Sequence, residues 1–226
     1  MLLTTAYFPP ISWFAAIVED FTLSVDEVKS SCVYLEACEN YQKQSWRNRC
    51  CISTSQGKEV LNVPVIHTGG KINHPITEIL VDYSTNWVLK TKRAIVSAYM
   101  TSAYFEYYKD ELFAILDSHP ARLWDLNMEL IRFFVKKIGL SVDFYETTEF
   151  NPPTETGTAS PYGKDHRFDI HPKRPDTVLE ELKLEKPYFQ VFSQKYGFQS
   201  NLSIMDLLFN EGPDSILYLK KLESPS

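Results

Sequence analysis

The first 38 residues switch hydrophobic pattern twice. "MLLTTAYF" is apolar and β-prone, and Pro9 and Pro10 interrupt it. "ISWFAAIVED" continues as a short apolar helix, and "SCVYLEAC" returns to β-branched and aromatic residues. Proline suits a turn or the first turn of a helix. Strand, Pro-rich turn, helix and strand in that order open an α/β unit.

The rest of the chain divides by period. "VLNVPVI" reads as a third strand, with Pro64 marking an edge or a bulge, and "ITEILVDY" as a fourth, alternating at Ile79, Val81 and Tyr83. From Asn86 the spacing becomes helical: Trp87, Thr91, Ala94, Ile95, Ala98 and Ser102 share one face. Helices are predicted over roughly 104–117 and 125–137, the second capped by Asp125 and stopped by Gly139, and "LSVDFYET" is a late strand. The expected fold is α/β. A mixed sheet comes from the N-terminal half, followed by a helical second half and a C-terminal helical appendage. The expected divisions are a core over 1–148, a long Pro/Gly-rich loop or lid over 149–175, and the appendage packed on the core over 176–226. Within the appendage, a pair of short helices hinges at Gly212–Pro213, and Ser203 with Asp206 resembles a capping box.

A chain of 226 residues suffices for a real core. The formal net charge of −6 argues against nucleic acid as a partner, which needs a basic field. Cys32, Cys38, Cys50 and Cys51 match no zinc spacing and read as reduced thiols. The opening stretch lacks a basic n-region, and no apolar run approaches the ~20 residues of a membrane span. The expectation is a soluble, cytoplasmic protein.

The most unusual segment is "ENYQKQSWRNR", residues 39–49. As a strand it places Lys43, Ser45, Arg47 and Arg49 on one face; as a helix it makes neighbours of Lys43 and Arg47, and of Gln44 and Asn48. Cations converge in either case. Guanidinium forks grip phosphate or carboxylate, and amides read hydroxyls. The plainer alternative is an exposed turn whose arginines pair with Glu36 or Glu39. A second alternative makes the motif a core network. The first turn, "TAYFPPIS", occupies the place where α/β folds bind phosphate. "DHRFDIHPKR" at 165–174 is a candidate lid over an anionic ligand or a solvated loop. His67 and His74 flank "TGGKIN", where a histidine serves as a general base or sits in water. His67, His74 and Asp82 do not make a diagnostic metal set, and no metal is assigned.

"AYFPPISWFAAI", "ENYQKQSWRNR", "LNVPV", "DYSTNW", "YFEYY" and "LWDLNMELIRFFVKKIGL" occur in that order, followed by "DHRFDIHPKR" and "YFQVFSQKYGFQSNLSIMDLLFNEGP". Together they resemble the WbqC-like protein family, in the version seen in Bacteroidetes-type members. That resemblance implies a place in O-antigen or other surface-polysaccharide biosynthesis and leaves the reaction and any cofactor open. The expected function is a transferase modifying a nucleotide-linked sugar or similar anionic precursor. Lys43, Arg47 and Arg49 hold the phosphates; Tyr41, Gln44 and Asn48 orient the sugar. Tyr7 stacks or bonds at the first turn, and His67 or Glu39 is the acid–base group. The alternative is a non-catalytic partner of other enzymes of that pathway, docking through Tyr104, Phe105, Tyr107 and Tyr108.

Overall fold

The computed structural model describes residues 1–23, 32–66, 74–152, 159–184 and 186–220. The opening unit forms as the pattern requires. Strand β1 (Leu2–Leu3) leads through the Pro9–Pro10 turn into helix α1 (Ile11–Leu23), and β2 (Cys32–Leu35) returns parallel to β1, Leu2 opposite Tyr34. A late strand, β5 (Asp143–Glu146), adds parallel to the far side of β2 with Cys32 opposite Asp143. The three-stranded order is β1-β2-β5. On the free side of β1, Asp165 makes a parallel bridge to Leu2, and the His166 amide donates to the Leu2 carbonyl at 3.1 Å. Four chain segments therefore run the same way and end on one edge.

Between β2 and β5 lie an antiparallel hairpin and three helices. The hairpin, β3 (Arg49–Thr54) and β4 (Gly57–Asn62), turns at Gly57, whose φ of +102° favours glycine. Strand β4 stops at Asn62, just short of Pro64. "ITEILVDY" does not form a strand. Ile76–Glu78 is a single 3-10 turn, and only isolated bridges follow, Val65 to Val81 and Leu80 to Arg122. Pro64 has no N–H to extend that pairing. The alternation is real, since Ile79 and Val81 are buried and Leu80 is 41% exposed, but no ladder stands behind it.

Helices α2 (Trp87–Tyr99), α3 (Phe105–Asp117) and α4 (Leu123–Ile138) follow the 3.6-residue period. Helix α4 buries Leu126, Leu130, Ile131, Phe134 and Ile138, and ends at Gly139 with φ of +82°. Its N-cap is Arg122 rather than Asp125, which lies inside the first turn. The short hairpin β6 (Ala159–Ser160) and β7 (Gly163–Lys164) precedes the Asp165 bridge, and two single-turn helices follow, α5 (Val178–Glu181) and α6 (Ser193–Tyr196).

Near the C-terminus, α7 (Ile204–Glu211) and α8 (Ser215–Leu219) hinge at Gly212–Pro213. Ser203 caps α7, accepting from the Met205 amide at 3.4 Å. Asp206 does not complete a capping box. It is buried, accepting from Tyr188 Oη at 2.6 Å and Gln190 Nε2 at 3.2 Å. Residues 204–210 are all buried, and Ile204, Leu207, Leu208 and Phe209 belong to the same core as Trp13, Phe14 and Phe134. No helix among the described residues is long and apolar enough to cross a membrane.

Candidate active-site cleft

A polar system forms where the parallel segments end. In open α/β sheets that edge is where ligands bind, because the loops leaving parallel strands diverge there. Glu36 directly follows β2, Thr147 directly follows β5, and Arg167 lies two residues past the Asp165 bridge. Glu36 is fully buried. Its Oε1 accepts from Thr147 Oγ1 at 2.6 Å and from the Cys38 amide at 3.1 Å; its Oε2 accepts from Arg167 Nη1 at 3.0 Å and the Asn151 amide at 3.1 Å. Arg167 also grips Asp165 with a two-pronged fork, Nε to Oδ1 at 2.9 Å and Nη2 to Oδ2 at 2.6 Å.

A second buried pair stands beside the first. Arg47 Nε donates to Glu39 Oε1 at 2.6 Å, and Arg47 Nη2 donates to Glu39 Oε2. Burial pushes the Glu39 carboxyl up, with Arg47 opposing. The 39–49 segment is neither a strand nor a helix before Arg49. It is a series of turns pinned from several sides. Ser45 Oγ donates to the Gln42 carbonyl at 2.7 Å, and the Tyr7 amide donates to the Trp46 carbonyl at 2.8 Å. Asn127 of α4 donates to the Arg47 carbonyl at 2.8 Å and to Thr5 Oγ1 at 2.7 Å, tying α4, the first turn and the motif together.

Glu39, Arg47 and Arg167 of these pairs line a cleft of about 410 Å³. Glu39, Asn40, Tyr41, Gln42 and Arg47 line one side; Phe150, Arg167, Phe168, His171 and Arg174 line the other. Residues far apart in sequence thus meet at one opening. Arg47 keeps Nη1 without a hydrogen-bond partner among the described residues, and Arg174 is exposed, stacked over the Phe168 ring at 4.2 Å. His171 Nδ1 accepts from the Lys173 amide at 3.2 Å, which places its ring proton on Nε2. Burial holds the His171 imidazole below its ordinary range, and nearby Arg47, Arg174 and Lys173 lower it further.

Of the residues singled out from sequence, the cleft gathers Glu39, Tyr41 and Arg47. Lys43 and Gln44 are exposed on the turn, Gln44 with φ of +58°, and do not line it. Asn48 donates to the Val63 carbonyl at 3.3 Å, and Arg49 pairs with Asn62 across the hairpin. Tyr7 is fully buried, edge-on to Phe8 with ring centroids 4.5 Å apart. His67 lies outside the described residues, so the His67–His74–Asp82 set stays open; Asp82 caps the Ser84 amide at 2.8 Å. Phe105, expected as an exposed docking residue, is buried in the core, whereas Tyr107 is 77% exposed.

The phosphate position at the first turn is filled from within. The Ser12 amide of α1 donates to Asn201 Oδ1 at 3.0 Å, and Ser12 Oγ donates to Asp176 Oδ2 at 2.5 Å. Sequence reasoning did not single out Phe150 or Phe168, and it met Glu36 only as a possible pair for an arginine. Arg167, His171 and Arg174 stood inside the charge-dense "DHRFDIHPKR", and that density was the available signal.

The family model for the WbqC-like protein family matches residues 5–160. The uncharacterized protein Rv1507c of Mycobacterium tuberculosis is 30% identical over 199 residues, covering 80% of this chain and 84% of that protein. No solved structure matches.

Proposed function

The chain belongs to the WbqC-like protein family, and from that premise we propose that it is a transferase of surface-polysaccharide synthesis holding an anionic, nucleotide-linked sugar in the cleft between Glu39 and Arg174. The observation that carries this reading is the cleft itself. About 410 Å³ opens at the carboxyl ends of parallel strands, with three arginines, a carboxyl group, an imidazole and three aromatic rings on its walls.

Roles divide by what each group already does. Arg167 and Arg47 are spent on buried carboxylates, so they fix the floor, and their charge is balanced there. Arg174 has no ion pair among the described residues and is the group that meets an incoming phosphate. Neutral His171 offers an Nε2–H donor to the same anion. Glu39, its carboxyl raised by burial, is the proton-transfer candidate. Tyr41 and Phe150 supply rings for a base or a sugar, while one face of Phe168 already carries Arg174.

Buried Arg47 also favours the network reading of the 39–49 motif, in which its loss harms folding before it harms binding. A thermal-shift screen separates the alternatives. The panel holds nucleoside-diphosphate sugars, free nucleotides, acyl-CoA and ATP, each with and without magnesium. A ligand at about 100 times its Kd stabilises by roughly 2.7 kcal/mol, on the order of 5–10 °C for a chain this size. A shift with nucleoside-diphosphate sugars supports the reading. A well-folded protein that shifts with none of the panel supports the non-catalytic partner instead.

A further inference from the structure

A second groove, of about 340 Å³, borders the first. The Ile76 amide donates to the Glu39 carbonyl at 2.9 Å, and Thr77, the next residue, lines the groove. On the other side Glu146 lines the groove while its neighbour Thr147 bonds Glu36 beneath the first cleft. The two openings are thus linked through the Glu39–Ile76 backbone bond on one side and through the Glu146–Thr147 step on the other.

The lining is unusual in its charges. Arg122, Asp125, Glu129 and Arg132 follow i, i+3, i+7, i+10 along the start and outer face of α4, and Glu146 faces them from the end of β5. Opposite charges three residues apart on a helix commonly pair. Lys109 and Glu106 do so in α3, at 2.5 Å. Within α4, Glu129 and Arg132 do not come within ion-pair distance, and none of the five forms an ion pair among the described residues. Glu146 instead accepts from the Trp124 indole at 3.2 Å. Strong donors and strong acceptors therefore share one opening, which Met128 and Trp124 also line.

A free anion would meet three carboxylates there, and a free cation two guanidinium groups. A neutral polyol satisfies both signs, because each hydroxyl donates to a carboxylate and accepts from an arginine. Its C–H face packs on the apolar floor. We propose that this groove is a binding site for a neutral saccharide ring. Under the transferase reading, on which this second role rests, it is the acceptor site beside the anionic donor cleft.

Met128 is the reporter, since it lines this groove and not the cleft. The full chain, labelled with ¹³C-methyl methionine, is titrated with a panel of monosaccharides and separately with a nucleoside diphosphate. A saccharide is expected to move the Met128 methyl resonance while leaving exposed Met100 in place. The apparent affinity should fall about tenfold in Glu129→Ala or Arg132→Ala, each an exposed position, by loss of charge-assisted hydrogen bonds. Arg174→Ala should leave it unchanged. No movement of Met128 with any saccharide overturns the proposal. So does a saccharide response that Arg174→Ala removes, which would place the ring in the first cleft. If saccharide moves Met128 but the nucleoside diphosphate does not bind, the groove stands and the transferase reading fails.

Discussion

Arg47 and Glu39 are joined by a two-pronged ion pair that leaves each residue only 4% exposed. A cation buried this way holds a fold together more readily than it captures a ligand. Removing one partner strands the other charge away from water, which costs about 3–5 kcal/mol. Arg47→Ala is therefore expected to lower Tm by on the order of 10 °C. Glu39→Ala should behave alike, and the double variant should lose clearly less than the sum of the two. Chemical denaturation of all four proteins checks this. Additive losses would mean that the pair is not coupled.

Asp206 gives stability a dependence on pH. Burial raises its carboxyl to about 6, against hydrogen bonds from Tyr188 and Gln190 that lower it. A raised carboxyl means that the folded chain keeps a proton that the unfolded chain releases. Its contribution is fully present below the unfolded pKa of about 4 and is lost as pH rises through about 6. The size is on the order of 2–3 kcal/mol, at 1.36 kcal/mol per unit. Asp206→Asn should flatten the stability profile between those limits while keeping the Tyr188 bond. A profile as steep as that of the parent would sink the assignment.

His171 is expected to stay neutral at pH 7 with its proton on Nε2. Its range is lowered by burial, by Arg47 and by its basic neighbours, so the folded chain resists a proton that the unfolded chain accepts. Stability from this residue is accordingly present above the usual histidine range and declines as pH falls through that range. Long-range ¹H–¹⁵N NMR reads the tautomer directly. A protonated ring, or a proton on Nδ1, at neutral pH would contradict the geometry.

Gly212 is fixed by its neighbour. Its φ is +55°, and a Cβ there would come within 2.5 Å of the Tyr104 ring. Gly212→Ala combines left-handed strain with that clash and should cost more than the ~1 kcal/mol of the backbone effect alone. Ser203→Ala, which removes the cap of α7, should cost about 1 kcal/mol. Thermal unfolding ranks the two, and the glycine variant is expected to be the worse.

Elements with a strong local period were legible in the sequence. Helices α2, α3 and α4, the opening β1–α1–β2 unit and the hinge at Gly212–Pro213 fall where pattern and punctuation put them. Failures came where a partner decides the outcome. Ile79 and Val81 alternate like a strand, but hydrogen bonding there is confined to two bridges. The site was half legible for the same reason. Residue type marked Glu39, Tyr41 and Arg47, but no spacing links them to Arg167 or Arg174, which reach the cleft only because Asp165 docks on β1. Nor does residue type reveal that Arg47 is consumed by Glu39 while Arg174 faces solvent.

Calorimetric titration of a nucleoside-diphosphate sugar into the parent protein, Arg174→Ala and Arg47→Lys separates a ligand-facing Arg174 from a structural Arg47. Arg174 is exposed, so its loss should leave Tm nearly unchanged. Binding to the parent and at least about tenfold weaker binding to Arg174→Ala, equivalent to about 1.4 kcal/mol, is the predicted result. Arg47→Lys breaks the fork and should lower Tm first. Equal affinity in the parent and Arg174→Ala, or no binding to a folded parent, would mean that Arg174 does not hold a nucleotide-linked anion.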